Sequence, residues 1–352
     1  MLIGTRQIGR GHRPYVIAEM SGNHNQSLDR ALAIVDAAAA SGADAVKLQT
    51  YTAATMTLDI RAPGFVIEDP NSLWAGRQLY DLYEEAHTSW DWHAAIFERA
   101  AQRGIACFST PFDDTAVDFL EGLGAPAYKI ASFECTDLPL IRKVAATGKP
   151  MIISTGMATL AEIDDTVRTA RAAGCSDLIL LKCTSTYPAT PAHTNLNTIP
   201  VLREATGCEV GLSDHTMGCG AAIAAVALGA TVVEKHFTLS RADGGVDSTF
   251  SLEPAELQML RTETERAWQA MGCVVFGGSA AEAKSLVFRR SLYVVKDMAP
   301  GEPFSADNVR AIRPGFGLPP KYLDTVLGMP APTSLKRGTP LSWNLLRKGG
   351  DA

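Results

Sequence analysis

The chain has 352 residues, of which 46% are hydrophobic and 20% charged, so it can bury one large core or two smaller ones. The net charge of −6 and the lack of a dense run of Lys or Arg argue against a nucleic-acid binder. The longest weakly polar run, residues 219–233, is too short to cross a bilayer, and seven cysteines without a CxxC pair predict no disulfide framework, so we expect a cytoplasmic protein with no membrane partner.

Short β-rich runs alternate with alanine-rich amphipathic stretches eight times through the first three quarters of the chain. Eight such units in about 280 residues predict a (β/α)8 TIM barrel. An open doubly wound sheet is the alternative, but it usually carries a glycine-rich phosphate turn, and the sequence has neither a GxGxxG nor a Walker motif. The predicted strands are residues 15–20, 45–50, 106–111, 127–132, 151–156, 178–183, 209–214 and 232–237.

Helices are predicted after each strand, for example over residues 29–41 and 159–172. Thr159 and Glu162 have the spacing of a capping box, and Pro254 suits the first position of a helix over residues 254–271. The second unit carries a long insertion, residues 51–90. Loops of this length in a barrel commonly cover a functional site.

Each predicted strand becomes polar at its carboxyl end, which is the face where barrel enzymes build their sites. Because side chains alternate along a strand, Lys47 and Gln49 share one side, as do Glu234 and His236. We therefore expect these pairs to project into one common mouth.

His215 and His236 follow neighbouring strands, so the fold can bring both imidazoles to one ion. Two imidazoles with water and substrate oxygens suit a divalent first-row metal. The sequence equally allows either histidine to donate a hydrogen bond to a backbone carbonyl instead.

Lysines and hydroxyl side chains recur on consecutive strand ends. A ring of this kind suits a ligand with both a phosphate and a carboxylate group. Carboxylates near it are suited to binding sugar hydroxyls or to acid–base work, although each also has lysines to pair with. The ring consists of Lys47, Thr110, Lys129, Ser132, Ser154 and Ser213, and the carboxylates are Glu19, Glu134, Asp214 and Asp247.

The composition changes in the last part of the chain, where eight of the nineteen prolines lie in the final 53 residues. From residue 288 onward there are ten Lys and Arg and five Asp and Glu, a formal net charge of about +5. Residues 1–287 therefore carry a net charge of about −11. We predict a catalytic barrel over residues 1–280, a linker over 281–290 and a small β-rich domain over 291–352.

The motifs AEMSGNHNQSL, FSTPFD, YKIAS, STGMAT, KCTSTYP, GLSDHT and EKHFTL, with the proline-rich tail, resemble the sialic acid synthase family along essentially the whole chain. The resemblance implies a (β/α)8 barrel that joins phosphoenolpyruvate to an acylated amino-hexose and releases phosphate. It also implies a divalent metal (Mn2+, Mg2+ or Co2+) and a C-terminal antifreeze-like (SAF) domain that reaches over the partner's site in a domain-swapped homodimer.

The resemblance also implies a role for each matched residue. His215 and His236 would bind the metal, and Arg313 of the partner subunit would close the pocket. Glu134 would serve proton transfers, with Glu19 and Asp247 as further catalytic carboxylates. Phosphoenolpyruvate would be held by Lys47, Thr110, Lys129, Ser132, Ser154 and Ser213. The sugar would be contacted by Glu19, Gln49, Ser185, Tyr187 and Asp247.

Within the family, SGNHNQSL, DPNSLWAGRQLYDLYEEA and KCTSTYPAT look most like the branch that makes pseudaminic acid. The alternative is a neuraminate or legionaminate branch that uses a manno-configured N-acyl hexosamine. That alternative is disfavoured by Ser185, where the neuraminate branch usually has Asn. More remote alternatives are a Schiff-base aldolase using Lys182 and a non-catalytic binding protein.

Overall fold

A computed structural model describes residues 1–347, and its internal contacts divide the chain into residues 1–272 and the residues from 273 onward. Near the N-terminus, β1 (Leu2–Ile3) and β2 (Arg6–Gln7) form a short antiparallel pair. The next eight strands are all parallel and close into a barrel, in which the last strand pairs with the first. The predicted (β/α)8 barrel is therefore confirmed. Its strands are β3 (Tyr15–Glu19), β4 (Ala45–Thr50), β5 (Ala106–Pro111), β6 (Tyr128–Ile130), β7 (Met151–Ser154), β8 (Leu178–Cys183), β9 (Glu209–Asp214) and β10 (Val232–His236).

The helices begin where the sequence supplies capping residues. Thr159 accepts from the Glu162 backbone and Glu162 caps it in return, as predicted, and Pro254 opens the longest helix. Across residues 1–347, every helix is too short or too polar to span a bilayer. The helices of the first unit are α1 (Leu28–Ala40), α2 (Ala53–Met56), α3 (Leu79–Ala86), α4 (Trp90–Gln102), α5 (Asp114–Gly122), α6 (Leu138–Ala145), α7 (Leu160–Ala172), α8 (Thr198–Thr206), α9 (Gly220–Ala227) and α10 (Pro254–Met271).

The barrel strands are buried on both faces, which explains their continuous apolar runs. Outward side chains such as Val46 and Leu180 pack with helix residues such as Ile34 in the larger core. Inward side chains fill the barrel as a second core, so the barrel is packed and has no pore. The inward set includes Tyr15, Ile17, Ala45, Phe108, Ala127, Ile152, Ile179, Leu181 and Val232.

The insertion after β4 forms its own structure. Its residues 65–79 fold back as a small hairpin, in which Ile67 N donates to Arg77 O at 2.9 Å and Leu79 N donates to Phe65 O at 2.9 Å. The buried Gln78 side chain donates to Asp59 at 2.8 Å and ties the hairpin to the start of the insertion. Helix α3 follows directly.

The unit from residue 273 onward contains the small β-rich domain that the sequence predicted, whereas the boundaries predicted for it stay a prediction. Strands β11 (Ser291–Val294) and β12 (Val309–Ile312) pair antiparallel, and isolated bridges such as Met298 with Leu335 extend the pairing. Its own core includes Leu292, Phe304 and Leu341. Its helices are α11 (Leu323–Val326) and α12 (Trp343–Arg347).

Candidate active site

A polar layer closes the inside of the barrel at the carboxyl ends of the strands. Each strand places a polar or sulfhydryl side chain near its carboxyl end, two positions after an inward residue. Because side chains alternate along a strand, all of these side chains point to the same interior. All eight members are buried, and each strand supplies one. The polar layer consists of Glu19, Lys47, Thr110, Lys129, Ser154, Cys183, Ser213 and Glu234.

Lys47 lies at one side of this layer between two carboxylates. Its Nζ is 3.0 Å from Glu19 Oε2 and 3.5 Å from Glu234 Oε2, and it donates to Thr110 Oγ1 at 3.3 Å. The register places Lys47 beside Glu19 on the neighbouring strand, so the fold itself creates this contact.

Lys129 lies on the other side of the same layer. It donates to Ser154 Oγ at 2.7 Å, and its Nζ is 3.8 Å from Glu234 Oε1. Ser213 donates to the same Glu234 oxygen at 3.0 Å. Glu234 therefore connects the two lysines, and five of the six members of the predicted ring lie within one network.

Burial and the neighbouring charges divide the carboxylates into two kinds. Burial raises the pKa of Glu19, and Glu234 adds to the rise against the pull of Lys47, so that it reaches about 7. Burial also favours the neutral form of Glu234, but Lys129 and Lys47 hold its pKa below the usual value. Glu234 is thus the lasting anion of the layer, and Glu19 exchanges a proton near neutral pH.

The pKa values of the two lysines also shift in opposite directions. Burial alone would lower the pKa of Lys47, but Glu19 and Glu234 outweigh it and raise the pKa. For Lys129 burial prevails, and its pKa lies below the usual value. Two cations and two carboxylates bury almost no net charge when all four are ionised, which is how the layer can exist without a ligand.

Gln49 and Asp247 lie one level above the polar layer. Gln49 donates to Glu19 at 2.9 Å and to Ser21 Oγ at 3.1 Å, and Ser21 in turn donates to Asp247. Burial raises the pKa of Asp247. Three of the five predicted sugar-contacting residues, Glu19, Gln49 and Asp247, are therefore connected by hydrogen bonds through Ser21.

His215 and His236 lie side by side, with ring centroids 5.3 Å apart. His215 Nδ1 bonds to the Thr184 carbonyl at 2.9 Å. Burial lowers the pKa of His215, but its interactions with Cys183 and that carbonyl outweigh burial and raise the pKa, so a cation at this imidazole would compete with a proton. His236 Nδ1 is buried without a hydrogen-bond partner among the described residues, and it lies 3.7 Å from Asp247 Oδ2. Burial and the nearby positive charges lower the pKa of His236, which favours the neutral imidazole that metals bind.

Two adjacent imidazoles suit a divalent metal whose shell water and substrate would complete. Within the described part of the chain, His, Cys, Asp and Glu side chains form no cluster of three or more placed to bind an ion. Metal binding by this pair stays a prediction, and the structure shows the other alternative for His215, a hydrogen bond to a backbone carbonyl.

Three further side chains lie beside the histidines. Ser132 Oγ accepts from the Gly156 backbone at 3.2 Å, and Ser185 Oγ is 3.8 Å from the Cys183 sulfur. A Cβ at Gly156 would lie 2.2 Å from Ser185 Oγ, so only glycine allows this approach. Burial raises the pKa of Cys183, but hydrogen bonds with His215 and Ser132 and the nearby positive charges together outweigh burial and lower the pKa to about 7.

A cavity of about 390 Å³ opens above the histidines and is lined by several predicted residues. Tyr187 forms part of it, with its ring centroid 4.4 Å from that of His215. Glu134 lines the same cavity, and burial raises its pKa. The insertion supplies much of the remaining lining, so it covers this mouth.

Three residues considered from the sequence lie elsewhere. Lys182 is on the outward face of β8, where it donates to Cys183 O at 2.8 Å and Thr184 Oγ1 at 3.0 Å, so it does not reach the mouth. Asp214 also points outward and pairs with Lys235 at 3.0 Å. Arg313 is exposed in the second unit.

Glu234 and Cys183 are the members of the polar layer that were not among the predicted site residues. Both occupy the position two residues beyond an inward apolar residue, as Lys47 and Lys129 do. Alternation along β10 did predict that Glu234 projects into the mouth with His236, but the sequence assigned it no role there. The same count along β8 would have identified Cys183.

Known proteins match the chain closely. The NeuB family model matches residues 34–275, and the SAF domain model matches residues 289–347. "Pseudaminic acid synthase" of Campylobacter jejuni is 44% identical over 93% of this chain and 95% of that protein. "N,N'-diacetyllegionaminic acid synthase" of the same species is 37% identical over 91% and 96%. A crystal structure of N-acetylneuraminic acid synthetase from Leptospira borgpetersenii superposes with a TM-score of 0.72 and 31% identity, covering 81% of this chain and 94% of that one.

Proposed function

Because the chain belongs to the NeuB family, we propose that it condenses phosphoenolpyruvate with 2,4-diacetamido-2,4,6-trideoxy-β-L-altropyranose and water, giving pseudaminic acid and phosphate. It is accordingly a transferase that forms a carbon–carbon bond. The observation that carries the choice of product is the comparison of two relatives from one species. The chain is 44% identical to the pseudaminic acid enzyme and 37% identical to the legionaminic acid enzyme.

The polar layer supplies what an enol phosphate needs. Lys47 and Lys129 place two ammonium groups within one network, and Thr110, Ser154 and Ser213 supply hydroxyls that fix geometry. The carboxylate and phosphate of phosphoenolpyruvate would displace Glu19 and Glu234 as partners of the lysines, and Ser132 would add a further hydroxyl. A raised pKa suits Glu19 to take up the proton that this exchange of anions requires.

The reaction joins the enol carbon of phosphoenolpyruvate to the aldehyde carbon of the open-chain sugar. Water adds to the carbon that bears phosphate, and phosphate then leaves by cleavage of the carbon–oxygen bond. When bound by His215 and His236, a divalent ion such as Mn2+, Mg2+ or Co2+ would polarise the aldehyde oxygen as a Lewis acid. Holding both substrates in attack geometry supplies part of the rate enhancement.

The carboxylates above the layer are suited to the sugar and to the proton transfers. Asp247 and Gln49 are linked through Ser21 and would bind sugar hydroxyls, together with Tyr187 and Ser185. Glu134 has a buried carboxylate oxygen that finds no hydrogen-bond partner within residues 1–347, and its raised pKa favours exchange of a proton. We assign Glu134 to the water or to the hydroxyl that forms from the aldehyde.

The test offers the purified protein phosphoenolpyruvate with either 2,4-diacetamido-2,4,6-trideoxyaltrose or N-acetylmannosamine and follows phosphate release. We expect rapid release with the first sugar, little with the second, and loss of both on chelation. Preference for N-acetylmannosamine would reject the branch assignment. Borohydride trapping of pyruvate without sensitivity to chelator would reject the whole reaction in favour of an imine-forming aldolase.

We further propose that the protein is a cytoplasmic, domain-swapped homodimer. Its domain boundaries would be those predicted from the sequence, 1–280, 281–290 and 291–352, and Arg313 of one chain would complete the site of the other. The basic tail and acidic barrel favour such an arrangement by charge. The seven free cysteines are compatible with a reducing compartment. Mixing the inactive variants Arg313→Ala and His236→Ala should restore part of the activity, because one site of a mixed dimer is intact; no recovery in an exchanging dimer would reject the swap.

A further inference from the structure

The cavity over the histidines has two chemically different ends. Its lower end contains Gln49, His236 and Asp247, which are polar groups near the reacting centre. Most of the rest of its lining is apolar or aromatic, although Glu134 and Ser185 also line it. We call the following set the apolar wall: Ile67, Trp74, Leu79, Leu82, Tyr83 and Val246.

Five of the six residues of the apolar wall come from the insertion, and the hairpin and helix α3 fix them in place. Ile67 and Leu79 lie on the two strands of the hairpin at residues 65–79, which is closed by backbone hydrogen bonds. Leu82 and Tyr83 follow on α3, and the Tyr83 ring packs edge-on against Tyr51 at 5.7 Å. The fold of the insertion thus holds the wall together.

Val246, the sixth residue, joins the wall to the catalytic end of the barrel. Trp74 Nε1 donates to the Val246 carbonyl at 3.0 Å, so the indole presents apolar surface and has no free donor for a ligand. Val246 lies so close to Gly22 that a Cβ there would be 2.3 Å from a valine methyl. Val246 is next to Asp247, which connects the apolar wall to the sugar-binding residues.

We infer that the apolar wall is a subsite that selects the deoxy and acetamido methyl groups of the acceptor, an inference that rests on the proposed function. The proposed acceptor has a methyl group in place of the C6 hydroxymethyl group and two acetamido methyl groups. Its aldehyde carbon must lie beside the histidines, so C6, at the opposite end of the carbon chain, lies farthest from them. A hydroxyl pressed against Ile67 or Val246 would lose water without gaining a partner.

The test compares acceptors that differ in one group. The 6-hydroxy analogue, 2,4-diacetamido-2,4-dideoxyaltrose, and the 4-N-formyl analogue each alter one methyl group and leave the reacting end unchanged. We expect kcat/KM to fall by about tenfold to a hundredfold for each, the range for one misfitting group in an apolar pocket. The loss should lie mainly in the KM of the acceptor, with the KM of phosphoenolpyruvate unchanged. Equal kcat/KM for the three sugars would overturn the inference.

A variant then assigns the selection to the wall. In Ile67→Thr/Val246→Thr both side chains stay branched at Cβ and gain hydroxyls, so preference for the 6-deoxy sugar over its 6-hydroxy analogue should shrink to about threefold or less. Val201→Thr on the exposed face of α8 is the matched control and should keep the full preference. Retention of the full preference by a folded double variant, verified by its thermal unfolding, would overturn the assignment.

Failure of the proposed function gives a different result. If no sugar releases phosphate, the proposed reaction is wrong, and calorimetric binding of the three sugars still decides the subsite. Tighter binding of the 6-deoxy acceptor than of the 6-hydroxy analogue would support the inference, and equal affinity would reject it.

Discussion

Strand β10 carries a buried charged cluster on each of its faces, and the two differ in how well their polar atoms are satisfied. On the outward face Lys235 Nζ donates to Asp214 at 3.0 Å, to the Thr216 carbonyl and to the Gly218 carbonyl at 2.9 Å. Three donors of the ammonium group therefore meet three acceptors. This cluster is complete without a ligand.

The inward face of the same strand is incomplete. Within the described residues, Glu234 Oε2, Glu19 Oε2 and His236 Nδ1 are buried without hydrogen-bond partners. Lys47 lies 3.0 Å and 3.5 Å from the two carboxylate oxygens, so its charge compensates them in part. Such atoms cost free energy in the folded protein, and a ligand would recover it.

Burial of charge alone therefore does not identify the site. Lys235 and Lys47 are both almost fully buried, and both have a carboxylate partner. The two clusters differ in unused hydrogen-bonding capacity. The unpartnered polar atoms belong to the inward cluster, on the side where the polar layer faces the cavity. We expect variants on the inward face to change activity and variants on the outward face to change stability.

The largest expected effect is that of His236→Ala. Loss of this imidazole removes half of the candidate metal pair, and a Lewis acid is worth several kcal/mol of transition-state stabilisation. We expect kcat/KM to fall by at least about a thousandfold, equivalent to about 4 kcal/mol, with little change in thermal unfolding. Metal content measured after dialysis should fall in parallel, and a variant of full activity would refute the assignment.

On the outward face, Lys235→Met should mainly reduce stability. It leaves Asp214 buried without its counter-ion, which typically costs about 3–5 kcal/mol. Urea unfolding measures the loss, while kcat per folded molecule should stay within about threefold of wild type. Replacing both partners, as in Asp214→Leu/Lys235→Met, should recover part of the stability. An inactive but stable Lys235→Met variant would break the distinction between the faces.

Much of the distinction between inward and outward residues could be predicted from the sequence, because side chains alternate between the two faces of a strand. The eight β-rich runs gave the barrel, and the count of two along a strand placed Lys47 and Gln49 on one side. The same alternation sends Lys182 and Asp214 outward, although the sequence analysis considered both for the mouth. Alternation along β8 and β9 is therefore enough to exclude both residues from the mouth.

Other features depended on tertiary geometry. The apolar wall requires the insertion to fold back over the barrel, and the sequence of residues 51–90 indicates a cover without indicating which side chains face inward. The Cys183–His215 hydrogen bond depends on how closely two neighbouring strand ends approach. Hydrogen bonds from Lys129 and Ser213 to their partners likewise depend on register, which periodicity does not determine.

The pH dependence of stability tests the inward face more finely. The pKa of Glu19 is about 7 in the folded protein, above its value in the unfolded chain, so its stabilising contribution is present at low pH and is lost as pH rises toward 7. Relative to Glu19→Gln, the wild type should lose on the order of 2 kcal/mol of unfolding free energy between pH 5 and pH 8. Urea unfolding of both proteins at four pH values measures this. A constant difference would show that Glu19 keeps one protonation state.

The smallest expected effect compares Ser154 with the next residue, Thr155. Ser154 Oγ accepts from Lys129 at 2.7 Å, whereas Thr155 Oγ1 donates to the Leu181 carbonyl at 3.2 Å, within the strand framework. Loss of one hydrogen bond is worth about 1 kcal/mol, so Ser154→Ala should raise the KM of phosphoenolpyruvate about fivefold. Thr155→Val should instead lower the unfolding free energy by about 1 kcal/mol and leave that KM unchanged. If both variants changed only stability, the inward hydroxyl would be structural, and the boundary between the two faces would lie deeper in the barrel than Ser154.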